Sequence, residues 1–245
     1  MSKVVAFSCL HAPFTRRDAF AWLISIIRQE KPTHIVNLGD WLEADAASVH
    51  PDEHAHTLDD EYRVAASQSA QIRKAAPKAA LVWLLGNHDD NLQIKDARRI
   101  PKQLRDALHW NNSRAYGDEF REWTQICYEK SKHGCYHVGP LTFYHGYDCG
   151  VNTDQREAIE FAGMTGWQPG RLFVRGHTHR PVRVTQCQLN HNTQLPWWYA
   201  NVGTLGPLKP QYAKRRNTTR WGAGCLVAEV KGWKWTAEVR EFRNG

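Results

Sequence analysis

Five short runs of imidazole, carboxylate, amide and thiol side chains each begin where a strand is predicted to end, and this placement constrains the fold more than any other feature. The runs are Cys9-Leu10-His11, Gly39-Asp40, Gly86-Asn87-His88-Asp89, His145-Gly146 and Gly176-His177-Thr178-His179. Strands are predicted over residues 3–7, 33–38 and 80–85. Between them lie a helix over 16–29, with Phe20, Leu23, Ile24 and Ile27 on one face, and a helix over 59–76 stopped by Pro77. Such alternation predicts parallel pairing. Parallel strands end at one common edge, where open α/β sheets hold their ligands. The five runs are therefore expected to converge although they lie far apart in the chain.

Further strands are predicted over 141–145 and 172–175, with a helix over 154–162 between them. After His179 the pattern turns mostly β, with strands over 181–188, 197–201, 224–230 and 235–242 and turn chemistry at 203–207 and Gly222. Residues 91–133 are polar and helix-leaning without a clear core face. They read as an insertion over one end of a single domain spanning 1–245. With 245 residues, 42% of them apolar, the chain supports one or two packed domains and excludes disorder as its main description.

The charge balance, 32 Lys and Arg against 25 Asp and Glu, favours anionic partners such as phosphates or nucleic acid. Cys9, Cys127, Cys135, Cys149, Cys187 and Cys225 are scattered without a CxxC pair, which predicts thiols rather than a disulfide framework. The chain shows neither the features of a signal peptide nor an apolar stretch near the roughly 18 residues of a membrane span. A cytoplasmic protein without a membrane partner is expected, and no protein partner is predicted.

Cys9, His11, Asp40, Asn87, His145, His177 and His179 supply seven potential metal ligands. Imidazole suits Zn or Fe, and carboxylate with amide oxygen widens the choice to Mn. Seven exceeds one ordinary site, and a carboxylate can bridge. Two divalent metal ions are the inference, an arrangement whose recurring use is displacement at phosphorus.

In their order and strand context, these motifs resemble the signature of the calcineurin-like metallophosphoesterases. The resemblance runs from about Val4 to Leu205 and includes Asn201-Val202-Gly203-Thr204-Leu205, which is similar to the Asn-Pro-Gly-Ser turn after the last metal histidine of bacterial members. It departs at the opening motif, where the family has Asp-x-His and this chain has Cys9-Leu10-His11. The resemblance implies an α/β fold with two stacked mixed β-sheets flanked by helices, an α-β-β-α sandwich. It also implies that Cys9, His11, Asp40 and His179 hold one metal and Asp40, Asn87, His145 and His177 the other. His88 would face the scissile phosphate, to stabilise the developing charge or protonate the leaving alkoxide, with Asp89 beside it to fix its orientation and raise its pKa. Glu43 is read as an outer or helix-start carboxylate.

The expected activity is metal-dependent hydrolysis of phosphodiesters, including nucleotide or nucleic-acid derived ones, by a water nucleophile activated between two cations. The alternatives are a phosphomonoesterase on nucleotides or phosphoproteins, which an Arg clamp from Arg175 and Arg180 would favour, and a non-catalytic metal- or nucleic-acid-binding module in which Cys9 marks a degenerate site. Cys9 also fits a packed, non-ligating thiol. The run from His50 to His56 and the set Cys127, His133, Cys135 and His137 have metal-like composition but read as loop and poorly spaced residues. Lys209, Lys214, Arg215, Arg216 and Arg220, bracketed by Tyr212 and Trp221, fit either a solvated loop or a nucleic-acid contact.

Overall fold

Alternate residues of the first strand enter different cores, and this two-residue period organises the molecule. In the computed structural model, which describes residues 1–47, 56–92, 102–128, 134–150, 152–190, 192–210 and 218–243, strand β1 spans Ser2–Phe7. Its Val4 and Ala6 face a second sheet, while Val5 and Phe7 face helices. Strand β2 (His34–Asn37) and strand β3 (Ala80–Leu84) repeat the pattern: Val36, Val82 and Leu84 join the layer between sheets, and Ile35, Leu81 and Trp83 the helix layer. Each fully buried aliphatic side chain of this kind contributes roughly 1.5–3 kcal/mol.

Helix α1 (Arg17–Glu30) and helix α2 (Leu58–Ala75) cover the outer face of this first sheet. In α1 the expected Phe20, Leu23, Ile24 and Ile27 are buried. Helix α2 starts at a capping box: Asp60 N donates to Thr57 Oγ1 at 3.2 Å, and Thr57 N donates to Asp60 Oδ2 at 3.3 Å.

The remaining elements are α3 (Asn87–Asp90), α4 (Lys102–Leu108), α5 (Gly117–Arg121), β4 (Thr124–Ile126), β5 (Cys135–Val138), β6 (Leu141–Tyr144), α6 (Thr153–Met164), β7 (Arg171–Arg175), β8 (Val182–Asn190), β9 (Thr193–Asn201), β10 (Ala223–Lys231) and β11 (Lys234–Phe242). The first sheet has the order β11-β10-β1-β2-β3-β4, and the second β5-β6-β7-β9-β8. Strands β1 to β4 run parallel, as do β6, β7 and β9, while β10, β11, β5 and β8 pair antiparallel. Helix α6 packs Ala158, Phe161 and Ala162 against Tyr144 and Phe173 on the far side of the second sheet. The result is the expected α-β-β-α sandwich of two mixed sheets.

Residues 102–128 differ from the expectation of a segment without a core face. Trp110, Phe120 and Trp123 are buried against Trp41 and Trp83, with Trp41–Trp123 and Trp83–Trp110 centroids 4.8 and 4.9 Å apart, and β4 extends the first sheet. Phe120 sits on the five-residue α5 and Trp110 on a single 3-10 turn, too short for a helical period to mark them in the sequence. Most of the large tryptophan complement does pack, although Trp167 and Trp233 remain about half exposed. The six cysteines form no disulfide. Among the described residues, no helix is long and apolar enough to cross a membrane.

Glu61 on α2 is 1% exposed and accepts Ala44 N at 2.7 Å. Burial pushes its carboxyl from 4.5 up to about 8. Between those values the folded chain holds a proton that the unfolded chain has lost, so stability falls as pH rises, by at most about 1.4 kcal/mol per pH unit. Glu61→Gln keeps an acceptor for Ala44 and removes the titration. Denaturant unfolding of this variant at pH 5.5 and 8 is expected to show a flatter stability profile than wild type; an unchanged slope would assign the slope to other groups.

Candidate metal centre

The loops after β1 and β2 are tied together before any side chain is considered. Cys9 N donates to Gly39 O at 2.8 Å and His11 N to Asp40 O at 3.0 Å. Gly39 has φ +105°, and a Cβ there would lie 2.6 Å from both Gly86 N and His145 Nδ1. Only glycine lets the three loops meet so closely. Cys9, His11, Asp40, His177 and His179 have φ of 55°, 51°, 52°, 67° and 61°, five of the nine left-handed non-glycine residues described. Each costs roughly 1–2 kcal/mol. Such strain persists where surrounding structure over-determines it, and it clusters at functional sites.

The turn after β9 braces the same edge. Asn201 Nδ2 donates to Gly176 O and Thr178 Oγ1, both at 2.9 Å, and Thr204 Oγ1 donates to Cys9 O at 2.8 Å.

Three ligand groups result among the described residues, one made of His11, Glu43 and His88 and the other two sharing Asp40. Cys9, His11, Asp40 and His179 place one donor atom each within 4.8 Å of one another, and Asp40, His145 and His177 form a second group on the same criterion. Asp40 belongs to both. Asn87 Oδ1 lies 3.2 Å from His145 Nε2 and so borders the second group. All seven residues named from sequence therefore come together at the predicted edge.

The tautomers are set by groups outside the cluster. His11 Nδ1 donates to Glu43 Oε2 at 2.7 Å and His145 Nδ1 to Leu38 O at 2.6 Å, which leaves each Nε2 as an inward lone pair. His11 Nε2 then faces His179 Nε2 at 3.1 Å, and His145 Nε2 faces His177 Nδ1 at 3.1 Å. Buried lone pairs aimed at each other repel unless a cation or proton sits between them. Among the described residues, nothing hydrogen-bonds the buried Nδ1 of His179. This donor set fits a pair of divalent cations.

The ionisation states agree with that reading. Burial raises the Asp40 carboxyl, but the imidazoles of His145, His88 and His11 outweigh it and hold the group well below the usual carboxylate range. Burial lowers His177 to about 3, helped by His145, and pushes His179 well down. A charged Asp40 carboxylate beside the neutral imidazoles of His177 and His179 is the form that ligates metal.

Residues 2–181 match the calcineurin-like phosphoesterase family. The chain belongs to the calcineurin-like phosphoesterases. Family membership supports metal-dependent phosphoester chemistry in general. Vps29 of Chaetomium thermophilum superposes with TM-score 0.50 at 11% identity, over 99% of this chain and 90% of that one. PhoD gives 0.51 at 12% identity, over 96% and 65%. YfcE, a phosphoesterase from E. coli, gives 0.43 at 13% identity, over 96% and 97%. Identities this low speak to fold alone, and the first two support it. No curated protein matches the chain by sequence.

In this calcineurin-like phosphoesterase, His88 lies outside the two groups around Asp40 and belongs to the third, with His11 and Glu43. Its ring meets His11 edge-on with centroids 4.8 Å apart, and its backbone N donates to Asp40 Oδ1 at 3.0 Å. Burial lowers its pKa, yet the charges of Asp40 and Glu43 outweigh burial and raise it to about 9. Asp89, expected to orient His88 and raise its pKa, adds to the rise through its charge, but its oxygens are committed elsewhere: it accepts Leu42 N and Gly86 N, both at 2.9 Å, and Trp83 Nε1 at 3.2 Å. The atom that holds His88 is the Glu43 carbonyl, which accepts from Nδ1 at 2.9 Å. Glu43 thus touches both His11 and His88, a link that its spacing from Asp40 did not reveal.

Arg175 is fully buried, with Nη1 3.2 Å from Glu157 Oε2 and Nε 3.6 Å from Asp154 Oδ1, so it is no clamp for a phosphate. Arg180 is half-buried. Cys127, Cys135 and His137 join none of the ligand groups formed by described residues, and His133 and residues 50–55 lie outside those residues. His56 packs edge-on against Phe14, with centroids 5.1 Å apart. Of the basic run, Lys209, Arg220 and Trp221 are described, with the Trp221 ring centroid 4.4 Å from that of His179; Tyr212, Lys214, Arg215 and Arg216 lie outside the described residues.

Proposed function

We propose that the protein hydrolyses phosphodiesters, nucleotide-derived or nucleic-acid ones among them, with Cys9, His11, Asp40 and His179 holding one divalent cation and Asp40, Asn87, His145 and His177 the other. Mn, Fe and Zn are all compatible with these donors. When bound, such a pair polarises the phosphoryl oxygens and activates the attacking water. The chain's own residues do the rest. Asp40 supplies one negative charge common to both ligand groups, and the outer bonds from Glu43 and Leu38 keep the His11 and His145 lone pairs inward. His88, held at Nδ1 by the Glu43 carbonyl, gives the proton of its other ring nitrogen to the departing alkoxide. Water adds to phosphorus, the ester P–O bond breaks, and a monoester and an alcohol leave.

The observation that favours diesters is the commitment of Arg175 to Glu157 and Asp154, because a dianionic monoester needs cationic neutralisation beyond the metals. The aromatic pair Tyr128 and Tyr147, stacked at 5.0 Å beside His145, suits an extended organic substituent. A buried thiol among the ligands suits a reducing, cytoplasmic compartment. After loading with Mn²⁺, Fe²⁺, Co²⁺ or Zn²⁺ under reducing conditions, bis-p-nitrophenyl phosphate is expected to turn over faster than p-nitrophenyl phosphate. The reverse order would transfer the assignment to phosphomonoesters. Absence of turnover on both would favour a binding module, the reading that Cys9 in the opening motif supports.

His88→Ala is expected to lower kcat by roughly 10²- to 10⁴-fold, the range of a lost general acid, with metal content unchanged. Loss of a bound ion in that variant would show that His88 is a ligand instead.

A further inference from the structure

Two histidines of the cluster have their outward nitrogens fixed by oxygen acceptors, Glu43 for His11 and the Leu38 carbonyl for His145. His177 presents the same problem in mirror form. Its Nδ1 points inward at His145 Nε2, so the proton of the neutral ring belongs on Nε2. That nitrogen lies 3.1 Å from the sulfur of Cys149, on the loop between β6 and α6.

The loop is built to keep the sulfur there. Gly146 has φ +110°, and a Cβ at that position would lie 2.4–2.7 Å from three atoms of the Arg175 guanidinium. Glu157 Oε1 accepts Tyr147 N at 2.9 Å and Asp148 N at 2.8 Å, and Arg175 Nη2 donates to Asp148 O at 2.9 Å. Thr153 Oγ1 also donates to Asp148 O, at 3.2 Å, and Arg156 pairs with the Asp148 carboxylate. The buried Glu157–Arg175 pair therefore fixes the backbone immediately before Cys149. The Cys149 side chain itself reaches solvent.

We propose that Cys149 is the positioning residue for His177: its sulfur accepts the Nε2 proton, holds the ring with Nδ1 toward the second cation, and so sets the affinity of that site alone. This role rests on the two-cation reading above. Outer partners of metal histidines usually are carboxylates, carbonyls or water, and losing one costs about 10- to 100-fold in metal affinity. A sulfur acceptor adds something those groups lack, because an exposed thiol is open to alkylation.

The test is a Co²⁺ titration of the metal-free protein against a competing chelator, comparing wild type with Cys149→Ala and Cys149→Ser. Wild type is expected to bind two ions. Cys149→Ala is expected to keep one affinity and weaken the other by about 10- to 100-fold, and Cys149→Ser, whose hydroxyl oxygen is an acceptor, to recover part of the loss. Because the side chain is exposed, the metal-free variants are expected to unfold at the wild-type temperature, which separates positioning from folding. Iodoacetamide treatment of wild type should reproduce the alanine phenotype, and bound Co²⁺ should slow that alkylation. Two unchanged affinities in Cys149→Ala would overturn the positioning role while leaving the two-cation reading standing. Equal weakening of both sites would overturn its selectivity for His177. A wild-type protein that binds fewer than two ions would remove both readings.

Discussion

Asp40→Asn is expected to abolish turnover and to loosen both metal sites at once, the broadest effect of any single substitution in this protein. Asp40 Oδ2 lies 3.2 Å from His145 Nε2 and 4.0 Å from His11 Nε2, so one carboxylate serves both ligand groups. At about 4 Å and an effective dielectric near 20, a pair of unit charges is worth ~4 kcal/mol, about a thousandfold in binding. A doubly charged ion on either side loses at least that much when the carboxylate becomes an amide. The substitution is isosteric, and the Asn carbonyl can still accept His88 N, the bond Asp40 Oδ1 makes at 3.0 Å. The loop should therefore survive, and the defect should read as electrostatic. Metal analysis after gel filtration and steady-state rates on an activated diester measure it together. A variant that retains two ions and a near-native rate would sink the two-metal assignment.

How much of this was readable before the structure depended on which physical signal each residue left. Strands β1 to β3 and helix α1 announce themselves because the same alternation that fills two cores is printed in the sequence, Val4 and Ala6 inward and Val5 and Phe7 outward. The ligand residues were legible for a related reason: parallel strands place their following loops on one edge, so position at a strand end is already three-dimensional information. Residues that act through irregular backbone left no period to find. Trp110, Phe120 and Trp123 enter the core from one-turn helical pieces and a bend, and β4 and β5 are three- and four-residue strands. The outer layer was equally hidden. Asp89 adjoins His88 in sequence yet caps its own loop, whereas Glu43 and Cys149 reach the site histidines from 45 and 28 residues away. Sequence spacing locates groups that share a loop; it says nothing about which neighbouring loop supplies the second partner.

The second large effect is expected at Cys9, where the metal preference of the first site should depend on sulfur. Cys9 is fully buried, its Sγ 3.0 Å from Ser8 Oγ and grouped with donors of His11, Asp40 and His179. Burial and the charge of Asp40 raise its thiol well above the ordinary value, so without a metal it is a neutral packing group. A neighbouring dication reverses that balance and deprotonates a coordinating thiol. The side chain is about one bond shorter than aspartate, but a Zn–S bond of about 2.3 Å against roughly 2.0–2.2 Å for oxygen restores part of the reach. Thiolate softness then favours Zn²⁺ or Fe²⁺ over Mn²⁺ at this site. Cys9→Asp is expected to shift the preference toward Mn²⁺. Cys9→Ser, which keeps the size but not the soft charge, should weaken the first site by at least the roughly 10- to 100-fold that an outer partner alone is worth. A sulfur-to-cobalt charge-transfer band in the Co²⁺-loaded protein should be present in wild type and in Cys149→Ser, and absent in both Cys9 variants. Peroxide should inactivate Cys149→Ser more than the double variant Cys9→Asp/Cys149→Ser, because only the former retains an oxidisable ligand. If Cys9→Ala keeps native metal content, metal preference and rate, the residue is packing alone, and the sulfur has no part in the chemistry.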